Sequence, residues 1–195
     1  MMMSAPQEYK KRYDISHTNP MGWDEFHHIV ETVIARLRAS GVVFDAVVPL
    51  LRSGAIPAVM IANKLRIIPI IPLQLKYDYA AGMVAVKTPP VVPPGLDAAA
   101  PLNLLVVECN TNTGQSATQA QKLLAATFPA ATLHYATVTA VFGGPTTLAG
   151  YAAYYIGTVA NEAFKDDAPQ TARAGITIFP WETAEYELDD INANA

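Results

Sequence analysis

Asn103-Leu-Leu-Val-Val-Glu-Cys-Asn-Thr-Asn-Thr-Gly-Gln-Ser116 decides how this chain is read. The unbroken apolar run from Leu104 to Val107 predicts a strand buried on both faces, as parallel strands between helix layers are. Glu108 stands at its end, a small polar turn with Gly114 follows, and a helix runs from Ser116 to about Ala126. Strand, turn and helix in that order suit an anion. The first N–H groups of a helix lack intrahelical partners and carry partial positive charge, and the hydroxyls of Thr113 and Ser116 can add donors. Gly114 lets the backbone approach a ligand closely. The plain alternative is a helix capped by Thr113 or Ser116, with no ligand.

Outward from this unit, strands and helices alternate. Asn19-Pro20 opens a helix in which Phe26, Ile29, Val30, Val33, Ile34 and Leu37 recur at helical spacing until Gly41 ends it. Phe44 to Leu51 predicts a second doubly buried strand and Ala55 to Leu65 a helix. Ile67 to Leu73 predicts an edge strand, where Pro69 and Pro72 cost no ladder donors. Residues 76–102, with Pro89, Pro90, Pro93, Pro94 and Gly95 among small residues, read as a flexible lid loop. Leu133–Phe142, Tyr154–Thr158 and Ile176–Phe179 are later strands. Alternation of this kind predicts an α/β fold, a largely parallel sheet with crossover helices, whose ligand sits in turns at the carboxyl ends of the strands. Residues 1–18 form a polar N-terminal arm from which Tyr9 and Tyr13 can dock.

A chain of 195 residues that is 51% hydrophobic fills one core, so a single domain over 1–195 is expected. Thirteen basic against seventeen acidic residues, a net charge of −4, argue against a nucleic-acid partner. No apolar run reaches bilayer length and the start lacks a signal-like apolar centre, which points to a cytoplasmic protein without a membrane partner. No metal-ligand spacing stands out; His27 and His28, adjacent on a helix, point apart. Cys109 is the only cysteine and forms no internal disulfide. It reads either as a thiol activated by a nearby helix N-terminus or as a small buried hydrophobe.

The 103–116 segment resembles the phosphoribosyl pyrophosphate (PRPP) signature of type I phosphoribosyltransferases: four hydrophobic residues, two acids, two apolar residues, then Asp-Thr-Gly-x-Thr. Thr113, Gly114 and Ser116 match its phosphate-holding end, and Glu108 matches the first acid. Cys109 stands for the second acid, Asn110 and Thr111 for the apolar pair, and Asn112 for the acid before Thr-Gly. Val47-Val-Pro-Leu-Leu-Arg-Ser-Gly-Ala-Ile-Pro-Ala58 is similar to the family's pyrophosphate loop, with Arg52, Ser53 and Gly54 in its key places. If the family's cis peptide carries over, it joins Leu51 to Arg52. Tyr77-Asp78 resembles a Tyr-Asp pair of purine-type members, and Ile178-Phe-Pro-Trp-Glu182 the Pro-Trp-Glu ending of purine and xanthine members. Ile176 stands where those members tend to have an aromatic residue, and Val141-Phe-Gly-Gly144 where they carry a lysine.

The resemblance implies a Rossmann-like central parallel sheet flanked by helices, with a small C-terminal hood (159–195), and a homodimer as the default assembly. It also implies transfer of the 5-phosphoribosyl group from PRPP to a purine-like base, with Mg²⁺ arriving on PRPP. Arg52, Glu108 and Asn112 take the catalytic places, and Arg52, Ser53, Gly54, Glu108, Cys109, Thr111, Asn112, Thr113, Gly114, Gln115 and Ser116 line the PRPP site. Phe179, Trp181 and Glu182 border the base, and Lys76, Tyr77 and Asp78 start the lid. The lost acids at 109 and 112 leave a second implication open: a protein of this fold that binds PRPP or a nucleotide as a sensor or regulatory partner.

Overall fold

The computed structural model describes residues 13–67, 69–78 and 82–192; residues 1–12 of the expected arm, Tyr9 among them, and residues 79–81 of the expected lid lie outside the described residues. In chain order the elements are a 3-10 turn at Ile15–His17, β1 (Thr18–Pro20), α1 (Trp23–Ala39), β2 (Ala46–Leu51), α2 (Ala55–Leu65), β3 (Leu73–Asp78), β4 (Met83–Thr88), β5 (Asn103–Thr111), α3 (Gln115–Thr127), β6 (Thr132–Val141), β7 (Ala153–Asn161), β8 (Arg173–Ala174), β9 (Ile176–Ile178) and α4 (Ala184–Asn192).

A seven-stranded sheet runs β4-β3-β2-β5-β6-β7-β8, parallel throughout except for the β3–β4 hairpin. Strand β5 sits at its centre, and its alternate side chains face opposite layers. Leu105, Val107 and Cys109 join the core built with Phe26, Val30 and Ile34 of α1 and Ile61 of α2. Leu104 and Val106 join the opposite core with Ala117, Ala120 and Leu124 of α3. The apolar stripe of α1 is buried as its spacing predicts, and Asp24 and Glu25 in its first turn with Arg36 and Arg38 in its last complement the helix dipole. Gly157 of β7 has no room for a side chain: a methyl there would stand 2.5 Å from Ile29 Cγ2, so α1 lies directly on the strand.

Three expectations are corrected. Asn19 and Pro20 do not open the helix; they lie in β1, which pairs in parallel with β9, and α1 starts at Trp23 behind an extended Gly22. The hood is therefore built from both chain ends. Ile176, Ile178 and Leu188 form its small core with Tyr13, Ala184 and Ile191, and the Tyr13 N–H donates to Asn192 Oδ1 at 2.8 Å. The edge strand expected at Ile67–Leu73 is instead β3, starting at Leu73 and covered by β4, while Ile70 makes only an isolated bridge to Val47. Pro69 and Pro72 lack N–H donors, so the continuous ladder begins after them. Finally, 76–102 is not one loop. Lys76 to Asp78 pair with Met83 to Ala85 in the hairpin, and beyond Thr88 the chain packs Val92, Leu96 and Ala98 onto the α3-side core.

His134 of β6 is buried against Phe44, ring centroids 5.2 Å apart, and neither of its ring nitrogens has a hydrogen-bond partner. Burial holds its pKa below the ordinary 6.5. The unfolded chain therefore takes up this proton first, and the stability linked to His134 is lost as pH falls below about 6.5. His134→Phe should melt no lower than the wild type at pH 7.5 and lose less melting temperature between pH 7 and pH 5.5, as followed by circular dichroism.

Candidate functional site

Strands β2 and β5 end side by side, with Pro49 opposite Val107, and each passes through a tight turn into a helix. In the first turn the Leu51–Arg52 peptide is cis, and Gly54 N–H donates to the Leu50 carbonyl at 3.0 Å. A methyl on Gly54 would meet the Val107 carbonyl oxygen at 2.5 Å and that of Leu50 at 2.6 Å, so the Arg52 turn is folded flat onto β5. In the second turn Gly114 takes a left-handed conformation, φ 75°, directly before α3. The loop after β6 backs it, since a methyl on Gly144 would come within 2.4 Å of the Asn112 carbonyl oxygen.

Both turns open on connected space. A cavity of about 630 Å³ is lined by Arg52, Ser53, Lys76, Tyr77, Lys87, Glu108, Cys109, Glu162, Thr177, Phe179 and Glu182, among others. A second, about 360 Å³, is lined by Asn112, Thr113, Gly114 and Gln115 and shares Tyr77, Glu108, Asn110 and Ser116 with the first. The cations Arg52, Lys76 and Lys87 come from the β2–β4 half of the sheet, while the carboxyls Glu108 and Glu162 come from β5 and the end of β7, and Glu182 from the hood. Glu187 and Asp190 of α4 line the same cavity, Asp190 against Lys76, so acids and cations meet on the hood side.

Glu108 and Cys109 are sequence neighbours on a strand and point to opposite faces. Glu108 turns to the α3 side, where the Tyr135 hydroxyl donates to its carboxylate. Burial pushes its pKa up to about 7, against the lowering effect of that bond. Cys109 turns toward α2 and its thiol donates to the Ser53 carbonyl at 3.0 Å. Burial, then the charges of Glu182 and Glu108, push that thiol well above its usual range, which argues against an activated thiolate. Thr111 is buried, its hydroxyl 3.3 Å from that of Tyr135. Glu182 accepts the Phe179 N–H at 2.9 Å, and burial raises its pKa to about 7.

Phe179 and Glu182 line the main cavity, but Trp181 does not: its ring packs on Phe26 and Phe179, centroids 5.0 and 5.3 Å away, beside an adjoining cavity of about 590 Å³. Lys76 is 3.2 Å from Asp190 of α4, and the side chain of Asp78 lies outside the described residues. Among the described residues, no three or more His, Cys, Asp or Glu side chains are grouped to hold a metal ion.

No protein-family profile matches the chain. Solved structures do. A purine phosphoribosyltransferase from Pyrococcus horikoshii Ot3 superposes with a TM-score of 0.64 at 14% identity, over 86% of this chain and 95% of that one. The Helicobacter pylori xanthine-guanine-hypoxanthine phosphoribosyltransferase gives 0.62 at 16% identity, over 89% and 99%. A hypothetical protein from Neisseria gonorrhoeae with bound ppGpp gives 0.64 at 18% identity, over 93% and 98%. This chain has the type I phosphoribosyltransferase fold.

Within that fold, some cavity residues carry no signal in the linear sequence. Lys87 reaches the cavity because β4 folds back on β3. Glu162 and Thr177 meet there only because β9 returns beside the end of β7. Lys165 brings its ammonium to 5.8 Å from the Phe142 ring centroid, giving the Val141–Gly144 loop a cation that its own residues lack.

Two substitutions test this geometry. The raised pKa of Glu108 means that its proton-linked stability is full below about 4.5 and lost as pH rises through about 7. Glu108→Gln, which cannot ionise, should melt above the wild type at pH 8, with the gap closing at pH 5. Gly54→Ala forces the Arg52 turn off β5 and should cost about 1–3 kcal/mol by urea unfolding.

Proposed function

We propose that this protein binds PRPP and transfers its phosphoribosyl group to a purine-like base with release of pyrophosphate. The observation that carries this reading is the pair of anion-binding turns, 52–54 and 112–116, at the ends of adjacent parallel strands and opening on shared space. Backbone N–H groups before α3, with the hydroxyls of Thr113 and Ser116, suit the 5′-phosphate. Arg52, in the flat turn with Lys76 and Lys87 nearby, suits the diphosphate through charge-assisted hydrogen bonds. Mg²⁺ enters with PRPP as part of the substrate, where it offsets diphosphate charge. Glu108 at the junction of the two cavities accepts from a ribose hydroxyl.

Transfer forms a bond from a base nitrogen to C1′ and breaks the bond to the diphosphate, and the nitrogen then sheds its proton. Asn112 cannot accept that proton as a carboxylate would. Glu182 can: it lines the cavity, and a pKa of about 7 suits proton transfer at neutral pH. Phe179 beside it gives the base an apolar neighbour.

A second reading, binding without turnover, draws on Cys109. Its thiol is turned to the Ser53 carbonyl and gives a ribose hydroxyl no carboxylate acceptor. A sensor of PRPP or of a nucleotide needs the two turns and not the second acid; the Neisseria gonorrhoeae protein of this fold holds ppGpp.

Calorimetric titration with PRPP and Mg²⁺, then pyrophosphate release over a panel of bases, separates the readings. Binding with release is the expected result, binding without release supports the sensor, and no binding overturns both. Arg52→Ala should weaken PRPP by roughly 10- to 100-fold, the loss of a charge-assisted contact.

A further inference from the structure

Helix α4 carries Glu185, Glu187, Asp189 and Asp190 and no cation among its nine residues. The helix itself does not call for this charge. Acids in a last turn oppose the helix dipole, and like charges three residues apart, as at Glu187 and Asp190, repel. Leu188 and Ile191 pack in the hood core, and Asn192 Nδ2 donates to the Tyr13 carbonyl at 2.7 Å. Glu187 and Asp190 line the main cavity instead, as do Arg52, Lys76 and Lys87. Lys76 Nζ donates to Asp190 Oδ2 at 3.2 Å, which ties β3 to α4 across 114 positions of chain. Burial, then the charge of Asp190, push the Glu187 carboxyl above its ordinary range, while Lys76 and Arg52 pull it down. The cations that suit a diphosphate are therefore already faced by two carboxyls.

Resting on the phosphoribosyl reading above, we infer that α4 is an autoinhibitory acidic strap: Glu187 and Asp190 face Lys76 and Arg52 in the free protein, and a diphosphate must displace them to bind. The Lys76–Asp190 pair is more than half exposed on both sides, 57% and 62%, so it adds little to stability and yields to a stronger anion. A diphosphate sets several negative charges against one on each carboxylate, so it wins the contest at a cost in affinity. A purely structural role, pinning the hood to β3, accounts for Asp190 alone. It leaves Glu187 unexplained, since that carboxyl is repelled by Asp190 and drawn by the same two cations.

Calorimetry on the full chain with inorganic pyrophosphate, at low salt and without divalent cation, reads the strap directly. Glu187→Gln combined with Asp190→Asn keeps both shapes and removes both charges. That variant should bind pyrophosphate about tenfold more tightly than the wild type, with the gain fading at high salt. Ribose 5-phosphate, which the 112–116 turn suits, should bind as before. Glu185→Gln removes a charge from the same helix at a position that lines neither cavity bordered by α4, and should gain far less than Asp190→Asn. Asp190→Asn alone also answers if the double variant melts early. An unchanged or weaker pyrophosphate affinity in a folded variant, or an equal gain from Glu185→Gln, overturns the inference and leaves the phosphoribosyl reading standing. So does a loss of affinity in the double variant once Mg²⁺ is added, which would make the two acids metal ligands. No pyrophosphate binding by any form, wild type included, overturns the inference, and if ribose 5-phosphate and PRPP fail as well, the phosphoribosyl reading falls with it.

Discussion

The parallel pairing of β2 with β5 is the constraint on which the site depends. Residues Ala46 to Pro49 lie opposite Leu104 to Val107, and both strands are buried on both faces, so a slip of register would drive Leu104 and Val106 out of one core and into the other. Fixed in register, the strands end together, and the chain leaves each through a turn into a helix. Gly54 locks the first turn to the second strand, because its hydrogen is all that fits against the Val107 carbonyl. The two turns are neighbours as a consequence of packing. The strand order also branches here, β3 on one side and β6 on the other, which is where open parallel sheets leave a crevice.

Charge follows topology. The β2–β4 half supplies Arg52, Lys76 and Lys87; the β5–β7 half and the hood supply carboxyls that burial makes reluctant to ionise. Under the proposed reading, the cations suit a diphosphate and the weakly acidic carboxyls can hold or pass a proton near pH 7. The same burial gives the fold opposed pH responses: His134 favours neutral solution over acid, and Glu108 favours acid over alkaline solution. Between about pH 4.5 and 6.5 the two responses oppose each other.

The central unit was legible because its signals are local. A continuous apolar run, a glycine turn and a helix start lie within fourteen consecutive positions, 103–116, and the helix and strand lengths there depend on core packing that periodicity reports directly. The hairpin was not legible. Strand β4 has an exposed, mixed face, Met83 to Thr88, and prolines crowd just after it, so composition reads as loop where pairing with β3 makes a strand. Nor was the hood, since β1 is three residues long and pairs with a strand more than 150 residues away. Glu162 is the clearest case: one acid in a polar loop, whose meaning comes entirely from Asn110 and Thr177, brought to it by different strands.

The substitutions at 109 and 112 read differently once geometry is known. Cys109 occupies a buried spot against the Ser53 carbonyl, where a carboxylate would face a lone pair and lose its hydration. The cysteine donates where an aspartate could only accept, so it is matched to the turn beside it. Asn112 is exposed and its carbonyl packs against Gly144, so the side chain there is under no comparable demand. The residue at 109 is thus part of how the Arg52 turn is held. Two further carboxyls line the cavity, Glu182 from the hood and Glu162 from the end of β7. The two are placed by different parts of the fold: Glu162 by β7 and its hydrogen bonds to Asn110 of β5, Glu182 by the hood that β9 joins to β1.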